Sequence, residues 1–548
     1  MLPITAAGQT RAATPPPPPP TGQKVVTATA SVRGRVVDSN GVPVRSAEVR
    51  LNNTDGRDHR VATTDVSGQY EIRDVTPGQW TLRASKAGFV SQSPAQTSPL
   101  DQERPMAIAN GQRISADVVL SRAGAISGRV VDAAGDPLSE MQVMALRVRT
   151  IRGRRQLTSA GVPDLTDDTG SFRLYGLPPG SYYVGAVAGR ARFSTETVGM
   201  LVKAPEFMMD EIAFYYPGTH DIEAAQTIEL TAGQEQPGVS VVTPTPVKGV
   251  TVSGRVINAS GLPADRPIVH VTPRGGVMTG SMTQGLAGAD ANGRFTVRNI
   301  PPGEYVVDAE ISTGDATSAE HGVLMISVGP SGLDDLVVTT TRARTLRGVF
   351  VSDSNTPLPT TFRPVITVES PERTMGGMTR LEMPMAAEFS IPGIISVHVI
   401  KIENLPSGWM VRSIEVGGQD ITSGAFDFSN VPASATVRVV VTNRVGELRG
   451  QVTSRARQRQ ATVVVFPDDE SKWRYPARLV SVGRADEEGR FVVSGLLADS
   501  EYRAVAVSYL ESEEAQDPAF LAKMRSAAVR FELRDSEKKT LDLPLVQR

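Results

Sequence analysis

The chain has 548 residues, a formal net charge of −2 and no cysteine. The lack of cysteine excludes disulfides, thiolate metal sites and cysteine nucleophiles, and the near-zero charge provides no global field to attract nucleic acid or an anionic membrane. Hydrophobic residues make up 40% of the chain, which also has 50 glycines, 39 prolines and few aromatics. This composition is typical of a globular protein with many short strands, and the length predicts about three or four domains. No run of 18 apolar residues is present, so we expect no transmembrane helix.

Residues 1–29 are expected to precede the folded part of the chain. The stretch LPITAAG at 2–8 looks like the last third of a signal peptide, although a charged start and most of an apolar region are missing. Six prolines at 15–20 then predict a polyproline II spacer. We therefore expect export to the periplasm, cell surface or medium, from a start codon further upstream. The alternative is an ordinary disordered N-terminus.

Internal repeats are the dominant signal in the rest of the chain. A first pattern, of the form GRVVD-x-x-G-x-P, recurs strongly at 31–44, 125–138 and 251–264 and weakly around Gly348 and Gly450. A second pattern follows four of these copies and reads LTDDTGSFRLYGLPPGSYYVGA in module 2. The repeats predict modules 1 to 5, which we place at 30–122, 123–248, 249–342, 343–446 and 447–548; module 2 carries a long insertion and module 4 is divergent.

Local chemistry explains both patterns as strands and turns. Asp132 and Gly135 take positions i and i+3 of a type I turn, and Asp167 and Gly170 repeat this arrangement at a hairpin corner. Val130 and the residues that alternate with it are expected to face a core. Short strands with regularly spaced turn signals predict a β-sandwich.

One helix is predicted, in the stretch QDPAFLAKMRSAA of module 5. Asp517 is expected to cap its N-terminus, with Pro518 at the first helical position. Phe520, Leu521 and Met524 form its apolar stripe. We expect this helix to pack on the outside of module 5.

The two linked patterns, GRVVD-x-x-G-x-P and TD-x-x-G-x-F…LPPG-x-Y-x-V-x-A, resemble the carboxypeptidase regulatory-like domain. The resemblance is specific in the modules that start near residues 31, 124, 250 and 447 and poor over 343–446. It implies a seven-stranded, transthyretin-like β-sandwich, which is also grouped with carbohydrate-binding-like folds. The expected fold class is all-β: a tandem array of Ig-like or transthyretin-like β-sandwich modules, with one short helix near the C-terminus. Such domains are accessory pieces of many exported proteins, so the resemblance implies fold more strongly than function.

Metal sites are weak candidates in this sequence. HDIE places His220 and Glu223 at a zinc-peptidase spacing, but the flanking repeats leave no room for a catalytic domain, so a loop histidine is expected. The DANG stretch, with Asp290 and Asn292, looks like a partial calcium cage, yet turn chemistry explains the same residues. An incidental calcium ion in one module is the alternative. We predict no catalytic residue, no metal and no cofactor.

A basic stretch lies between the two repeat patterns of module 2. RVRTIRGRR contains five arginines: Arg147, Arg149, Arg152, Arg154 and Arg155. A site for phosphates or acidic polysaccharide is one interpretation, and a protruding hairpin with solvated charges is the favoured one. No aromatic set typical of RNA-binding domains accompanies it, so nucleic acid is not a predicted partner.

Two aromatic clusters fall outside the repeated patterns and are candidates for ligand contact. FYYPG in the module 2 insertion and SKWRYP in module 5 contain Phe214, Tyr215, Tyr216, Trp473 and Tyr475. Exposed aromatic rings would provide a platform for a sugar, whereas packing between modules is the alternative. Trp80 and Trp409 follow tight turns and are predicted to lie in cores.

These features favour a non-catalytic, exported scaffold or interaction protein of the cell envelope. The alternative is a carbohydrate-binding protein of the envelope; an accessory part of a zinc carboxypeptidase and a fragment of an outer-membrane receptor are less favoured. Expected partners are carbohydrate or an envelope protein, and the oligomeric state stays open. Short linkers between modules predict a fairly stiff rod.

Overall fold

A computed structural model describes residues 30–151, 153–188, 214–243, 249–273, 278–279, 285–300, 302–311, 319–354, 356–370, 378–382, 387–432, 434–454, 461–498 and 500–548. The N-terminal segment 1–29, with the predicted signal-like stretch and proline spacer, lies outside these residues. The described part of the chain is built of short strands, and its only α-helix is α1 (Pro518–Met524). The prediction of an all-β fold with one short helix is confirmed.

Among the described residues, the first two modules contain eight strands each. The strands of module 1 are β1 (Ala30–Asp38), β2 (Glu48–Asn53), β3 (His59–Thr63), β4 (Gln69–Val75), β5 (Gly78–Ser85), β6 (Met106–Ile108), β7 (Arg113–Ser115) and β8 (Val118–Leu120). Those of module 2 are β9 (Gly124–Asp132), β10 (Met141–Ile151), β11 (Arg154–Leu165), β12 (Ser171–Leu177), β13 (Gly180–Ala188), β14 (Phe214–Tyr215), β15 (Ile228–Leu230) and β16 (Glu235–Thr243).

The remaining modules follow the same alternation of strands and turns. Module 3 contains β17 (Val250–Ile257), β18 (Ile268–Pro273), β19 (Met278–Thr279), β20 (Gly285–Gly288), β21 (Arg294–Ile300), β22 (Gly303–Ile311), β23 (Glu320–Val328), β24 (Leu333–Thr339) and β25 (Thr341–Arg342). Module 4 contains β26 (Arg344–Ser352), β27 (Val365–Glu369), β28 (Met378–Glu382), β29 (Glu388–Ile394), β30 (Val397–Glu403), β31 (Met410–Val416), β32 (Gln419–Asp420), β33 (Phe426–Asp427) and β34 (Thr436–Thr442). The last strands are β35 (Val445–Thr453), β36 (Thr462–Pro467), β37 (Ser481–Arg484), β38 (Arg490–Leu497), β39 (Ser500–Val507), β40 (Val529–Leu533), β41 (Lys538–Thr540) and β42 (Leu543–Val546).

Each module is a sandwich in which the opening strand is central. In modules 1 to 3 this strand lies between the antiparallel strand of the second pattern and a parallel strand from the end of the module, in the orders β4-β1-β7, β12-β9-β16 and β21-β17-β24; in module 1, β8 also pairs with β1 in parallel. The facing sheets have the orders β3-β2-β5-β6, β11-β10-β13-β14 and β20-β18-β22-β23. Module 4 has sheets β29-β26-β34-β31-β32 and β28-β27-β30-β33, and module 5 joins its strands in the order β37-β36-β39-β42-β35-β38.

The buried apolar side chains form a separate cluster inside each sandwich. Trp80 lies fully within the core of module 1, and Trp409 packs against the core of module 4. A further cluster in module 5 joins α1 to the outer face of its sheet through Phe520, Leu521 and Met524. The Asp517 carboxylate caps α1 by accepting the Ala519 N–H at 2.9 Å, as predicted. Each module therefore has its own hydrophobic core.

The glycine of the first pattern is required by the close approach of the last strand. A Cβ atom on Gly128 would lie 1.7 Å from the Val239 carbonyl oxygen, and one on Gly34 would lie 2.1 Å from that of Ala116. No side chain fits at such distances, because contacts between non-bonded atoms begin near 3 Å. The repeated glycine therefore marks where the parallel strand closes the sheet.

The predicted turn at Asp132 is present and is built by backbone hydrogen bonds. The Asp132 carboxylate accepts the N–H groups of Ala134 and Asp136, both at 2.9 Å. Gly135 donates to the Asp132 carbonyl at 3.1 Å and has a φ of +91°, a conformation that favours glycine. This aspartate is thus a turn residue.

Candidate functional site

Three of the five aromatic residues nominated from the sequence are buried. Trp473 is 2% exposed, and its indole N–H donates to the Pro467 carbonyl at 2.8 Å. Phe214 and Tyr215 are 8% and 2% exposed in strand β14, which pairs with β13. The hypothesis that these rings form an exposed platform is wrong, because β pairing and the module cores take them out of solvent.

The other two nominated residues are half-buried. Tyr216 packs against the core of module 2. Tyr475 lies between modules 4 and 5, where its hydroxyl donates to the Glu369 carboxylate at 2.7 Å and the Lys401 ammonium sits 4.3 Å from the ring centre. Tyr475 therefore packs between modules, which was the alternative to contact with a ligand.

The contact between modules 4 and 5 also contains a half-buried arginine. The Arg478 guanidinium donates to the Ile400 carbonyl, and burial lowers the pKa of Arg478 to about 10. A cleft of about 420 Å³ lies beside it, lined partly by Lys401, Tyr475 and Glu513. The ionisable groups of this cleft connect two modules, which is a structural role.

Module 5 contacts module 1 through buried polar groups. The Asp101 side chain is 1% exposed and accepts from the Arg484 guanidinium at 3.2 Å. Thr97 donates through its hydroxyl to the Ser508 carbonyl at 2.5 Å, and the Gln102 N–H donates to the Leu510 carbonyl at 3.2 Å. Segments about 400 residues apart in the sequence are therefore held together.

The basic hairpin of module 2, formed by β10 and β11, also docks on module 5. The Arg147 guanidinium donates to the Glu511 carboxylate at 2.9 Å, and the Thr150 hydroxyl donates to the Asp517 carboxylate at 2.7 Å. Arg152 and the side chain of Arg154 lie outside the described residues. The interpretation of a solvated hairpin is wrong for Arg147, since an acidic edge of module 5 covers it.

These contacts contradict the stiff rod expected from short linkers. Module 5 touches modules 1, 2 and 4, so the chain folds back on itself. In addition, strand β19 of module 3 pairs with β11 of module 2 in parallel. Linker length alone does not set the shape, because complementary charged surfaces bring distant modules together.

The candidate metal residues take part in loops and turns. His220 and Glu223 are exposed near a short 3-10 helix, Ile222–Ala224. The Asp290 carboxylate accepts the N–H groups of Asn292 and Arg294, both at 2.8 Å, which is turn chemistry. Within the ranges that the structure describes, no group of three or more His, Asp or Glu residues could hold a metal ion.

A groove on module 2 has a lining of both polar and apolar residues, the latter including Val131, Leu165 and Val239. Strands β9, β12 and β16 form its floor, and it has a volume of about 680 Å³. Its lining includes three serines, two arginines and two aspartates: Ser127, Ser171, Ser240, Arg129, Arg173, Asp164 and Asp167. Hydrogen bonds from the Thr169 hydroxyl and from backbone N–H groups lower the pKa of Asp167, so its carboxylate is ionised at neutral pH.

Tyr175, two residues after the groove residue Arg173 on β12, is a surface residue that the sequence patterns did not single out. It is 51% exposed, and it is the only Phe, Tyr or Trp of the described residues that is mainly exposed. Its position within the second pattern suggested a strand residue with no special role. The signal that could have found it is the alternation Phe172, Leu174, which turns Tyr175 outward.

The fold and these surfaces define a tandem β-sandwich protein whose modules contact one another through polar interfaces. No helix among the described residues is long and apolar enough to span a membrane. The model of the carboxypeptidase regulatory-like domain family matches residues 31–121 and 125–206, which lie in modules 1 and 2. The resemblance is therefore confirmed in two tandem copies. Module 3 shares the strand order of modules 1 and 2.

Comparisons with other proteins add little beyond this family. A search of curated proteins found no match to the chain. Among solved structures, a streptococcal ancillary pilin is 12% identical, with a TM-score of 0.20 over 57% of this chain and 98% of the pilin. The minor pilin of Streptococcus agalactiae is 11% identical (TM-score 0.20; 39% of this chain and 96% of the pilin). Two B repeat units of the Staphylococcus aureus collagen-binding protein are 10% identical (TM-score 0.13; 75% and 99%). These scores are too low to support an inference about function.

Proposed function

We propose that this chain is a non-catalytic, exported scaffold or interaction protein of the cell envelope. The observation that carries the proposal is that buried charged groups of the protein lie at contacts between modules. Asp101 with Arg484, and Arg147 with Glu511, hold modules together, as does Glu369 at the module 4 contact. Charges placed at module contacts stabilise one arrangement of binding surfaces, which is what a scaffold requires.

The family of modules 1 and 2 supports the same proposal. Carboxypeptidase regulatory-like domains are named for an accessory role, and function on such folds depends on sites added to them. A zinc carboxypeptidase would need metal ligands placed around an open coordination position. His220 and Glu223 instead lie exposed at or next to a 3-10 helix, where the backbone N–H of Glu223 donates to the Asp221 carboxylate.

Two measurements on the full-length protein test this proposal. Metal analysis and release of C-terminal residues from a peptide panel should both give negative results, because no catalytic role is proposed. Fractionation of the native host with an antibody against the chain should place it outside the cytoplasm. Stoichiometric zinc with peptide hydrolysis, or a wholly cytoplasmic location, would contradict the proposal.

Binding of carbohydrate is the second candidate function, and one observation favours it. The nominated residues Phe214, Tyr215 and Trp473 are buried, so they do not support it. Tyr175, in contrast, is 51% exposed on β12, two residues after Arg173, which lines a groove that also contains serine and aspartate side chains. A single exposed aromatic ring next to convergent polar groups is a common arrangement at ligand sites.

A further inference from the structure

The cleft between modules 4 and 5 is lined by an arginine whose charge the protein compensates only in part. The Arg478 guanidinium donates to the Ile400 carbonyl, but its Nε atom is shielded from solvent and has no hydrogen-bond partner among the described residues. Asp420 attracts this guanidinium through its charge, without a hydrogen bond between the two groups. An unpaired donor on a charged group that is withdrawn from water is costly. An anion in the cleft would remove that cost.

The other basic group of the cleft is already neutralised. The Lys401 ammonium pairs with the Glu369 carboxylate at 3.0 Å, and the Tyr475 hydroxyl donates to the same carboxylate at 2.7 Å. The positive charge that remains for a ligand is therefore that of Arg478. Glu513 is exposed and also lines the cleft, so a second negative charge on a ligand would be repelled.

A neutral hydrogen-bond donor lines the same cleft. The Gln516 side chain accepts the Ala477 N–H through Oε1 at 2.9 Å, which fixes the orientation of its amide group. The NH₂ group of that amide makes no hydrogen bond to the other described residues, so its two donors are available. Together with Arg478, Gln516 supplies donors from a charged and an uncharged side chain.

Apolar side chains complete the lining of the cleft. Pro476, Ala477 and Val480 are buried residues that border it. Its volume of about 420 Å³ lies within the range of small-molecule sites, about 300–1,000 Å³. A ligand with one anionic group and a small apolar body therefore suits both parts of the lining.

We infer that the cleft between modules 4 and 5 binds a small organic monocarboxylate. Its carboxylate would pair with Arg478 and accept from the Gln516 amide, while its apolar body lies against Pro476 and Val480. The planar guanidinium matches the two oxygens of a carboxylate. A phosphate fits less well, because it carries up to two negative charges where Arg478 supplies one positive charge and Glu513 opposes the second.

This inference goes beyond the proposed scaffold role, because it makes one contact between modules dependent on a ligand. Arg478 and Gln516 belong to module 5, and the cleft is closed on its other side by Glu369 and Lys401 of module 4. A bound carboxylate that neutralises Arg478 should stabilise the contact between the two modules. Binding should therefore slow proteolytic cleavage between modules 4 and 5.

Titration calorimetry on the full chain tests the inference with three carboxylates: benzoate, phenylacetate and hexanoate. The corresponding amides, benzamide, phenylacetamide and hexanamide, keep the apolar body and remove the charge, and inorganic phosphate is the third arm. We expect at least one carboxylate to bind, with its amide weaker by roughly tenfold or more, as for loss of a charge-assisted hydrogen bond. Phosphate should bind more weakly than that carboxylate.

Two variants and a control place the binding in this cleft. Arg478→Lys keeps the charge but loses the planar fork, so it should weaken binding of the carboxylate roughly tenfold. Gln516→Glu keeps an oxygen to accept the Ala477 N–H and adds a negative charge, so it should weaken binding at least as much. Arg474→Ala is the matched control: Arg474 is exposed in the same stretch as Arg478, outside the cleft lining, and its removal should leave the affinity unchanged.

The inference is overturned if none of the three carboxylates binds, if the matched amide binds equally well, or if phosphate binds more tightly. If Arg478→Lys lowers the melting temperature, the Gln516→Glu variant decides, and an unchanged affinity in that variant overturns the inference. A loss of affinity in Arg474→Ala equal to that in Arg478→Lys would also overturn it, because the effect would then be one of general charge. The metal, peptidase and fractionation measurements test the scaffold role separately from these outcomes.

Discussion

The contact between modules 1 and 5 should open when Asp101 is replaced by alanine. Its carboxylate is 1% exposed and pairs with Arg484, whose side chain is 24% exposed and whose pKa is lowered by burial. Removing one partner of a fully buried ion pair costs about 3–5 kcal/mol. Because water reaches part of the guanidinium, we expect about 2 kcal/mol, or roughly a 30-fold shift toward the open arrangement. The Leu510 N–H also loses its acceptor, the Asp101 carboxylate at 3.4 Å.

Limited proteolysis measures this opening, and small-angle X-ray scattering measures the shape. Asp101→Ala should be cleaved faster between modules, and Asp101→Ala combined with Arg147→Ala should have a larger radius of gyration, because both contacts to module 5 are then lost. Glu48→Gln is the control: its pair with Arg50 is exposed and should contribute close to nothing. If the double variant and the control scatter identically, the folded-back arrangement is not held by these charges and the reasoning is refuted.

Three further predictions concern single modules. Trp473→Ala should lower the unfolding free energy of module 5 by about 3–5 kcal/mol in denaturant titrations, since a fully packed indole is removed. Gly128→Ala should unfold module 2 or reduce its melting temperature strongly, because the new Cβ collides with the Val239 carbonyl. The hydrogen bond from Arg503 lowers the pKa of Asp468, so the ionised carboxylate stabilises the folded module. This stabilisation is complete above the pKa of an unfolded aspartate, about 4, and is lost as pH falls through the lowered pKa of Asp468. Melting temperatures measured between pH 7 and pH 2 should show this loss.

Matched variants make these three predictions refutable. Trp473→Phe keeps an aromatic ring and should be milder than Trp473→Ala. Gly329→Ala places its Cβ in open space, so a loss equal to that of Gly128→Ala would refute the close-approach argument. Asp468→Asn should make the melting temperature less dependent on acid pH, and an unchanged acid transition would show that Asp468 does not contribute.

Sequence alone determined the features that depend on neighbours along the chain. The Asp132 turn, the cap of α1 by Asp517 and the inward alternation of Phe172 and Leu174 each arise within a few residues. These signals repeat from module to module. The β-sandwich class and its family resemblance could therefore be predicted without a structure.

Only the tertiary structure decided which side chains are accessible to a ligand. Trp473 and Phe214 look like a ligand platform in the sequence, but they are enclosed by strands whose positions depend on the whole module. Arg147 pairs with Glu511, which lies 364 residues further along the chain, and no local pattern encodes that partner. The physical reason is the same in both cases: burial and charge pairing depend on contacts between distant segments, whereas turns and caps depend on the backbone nearby.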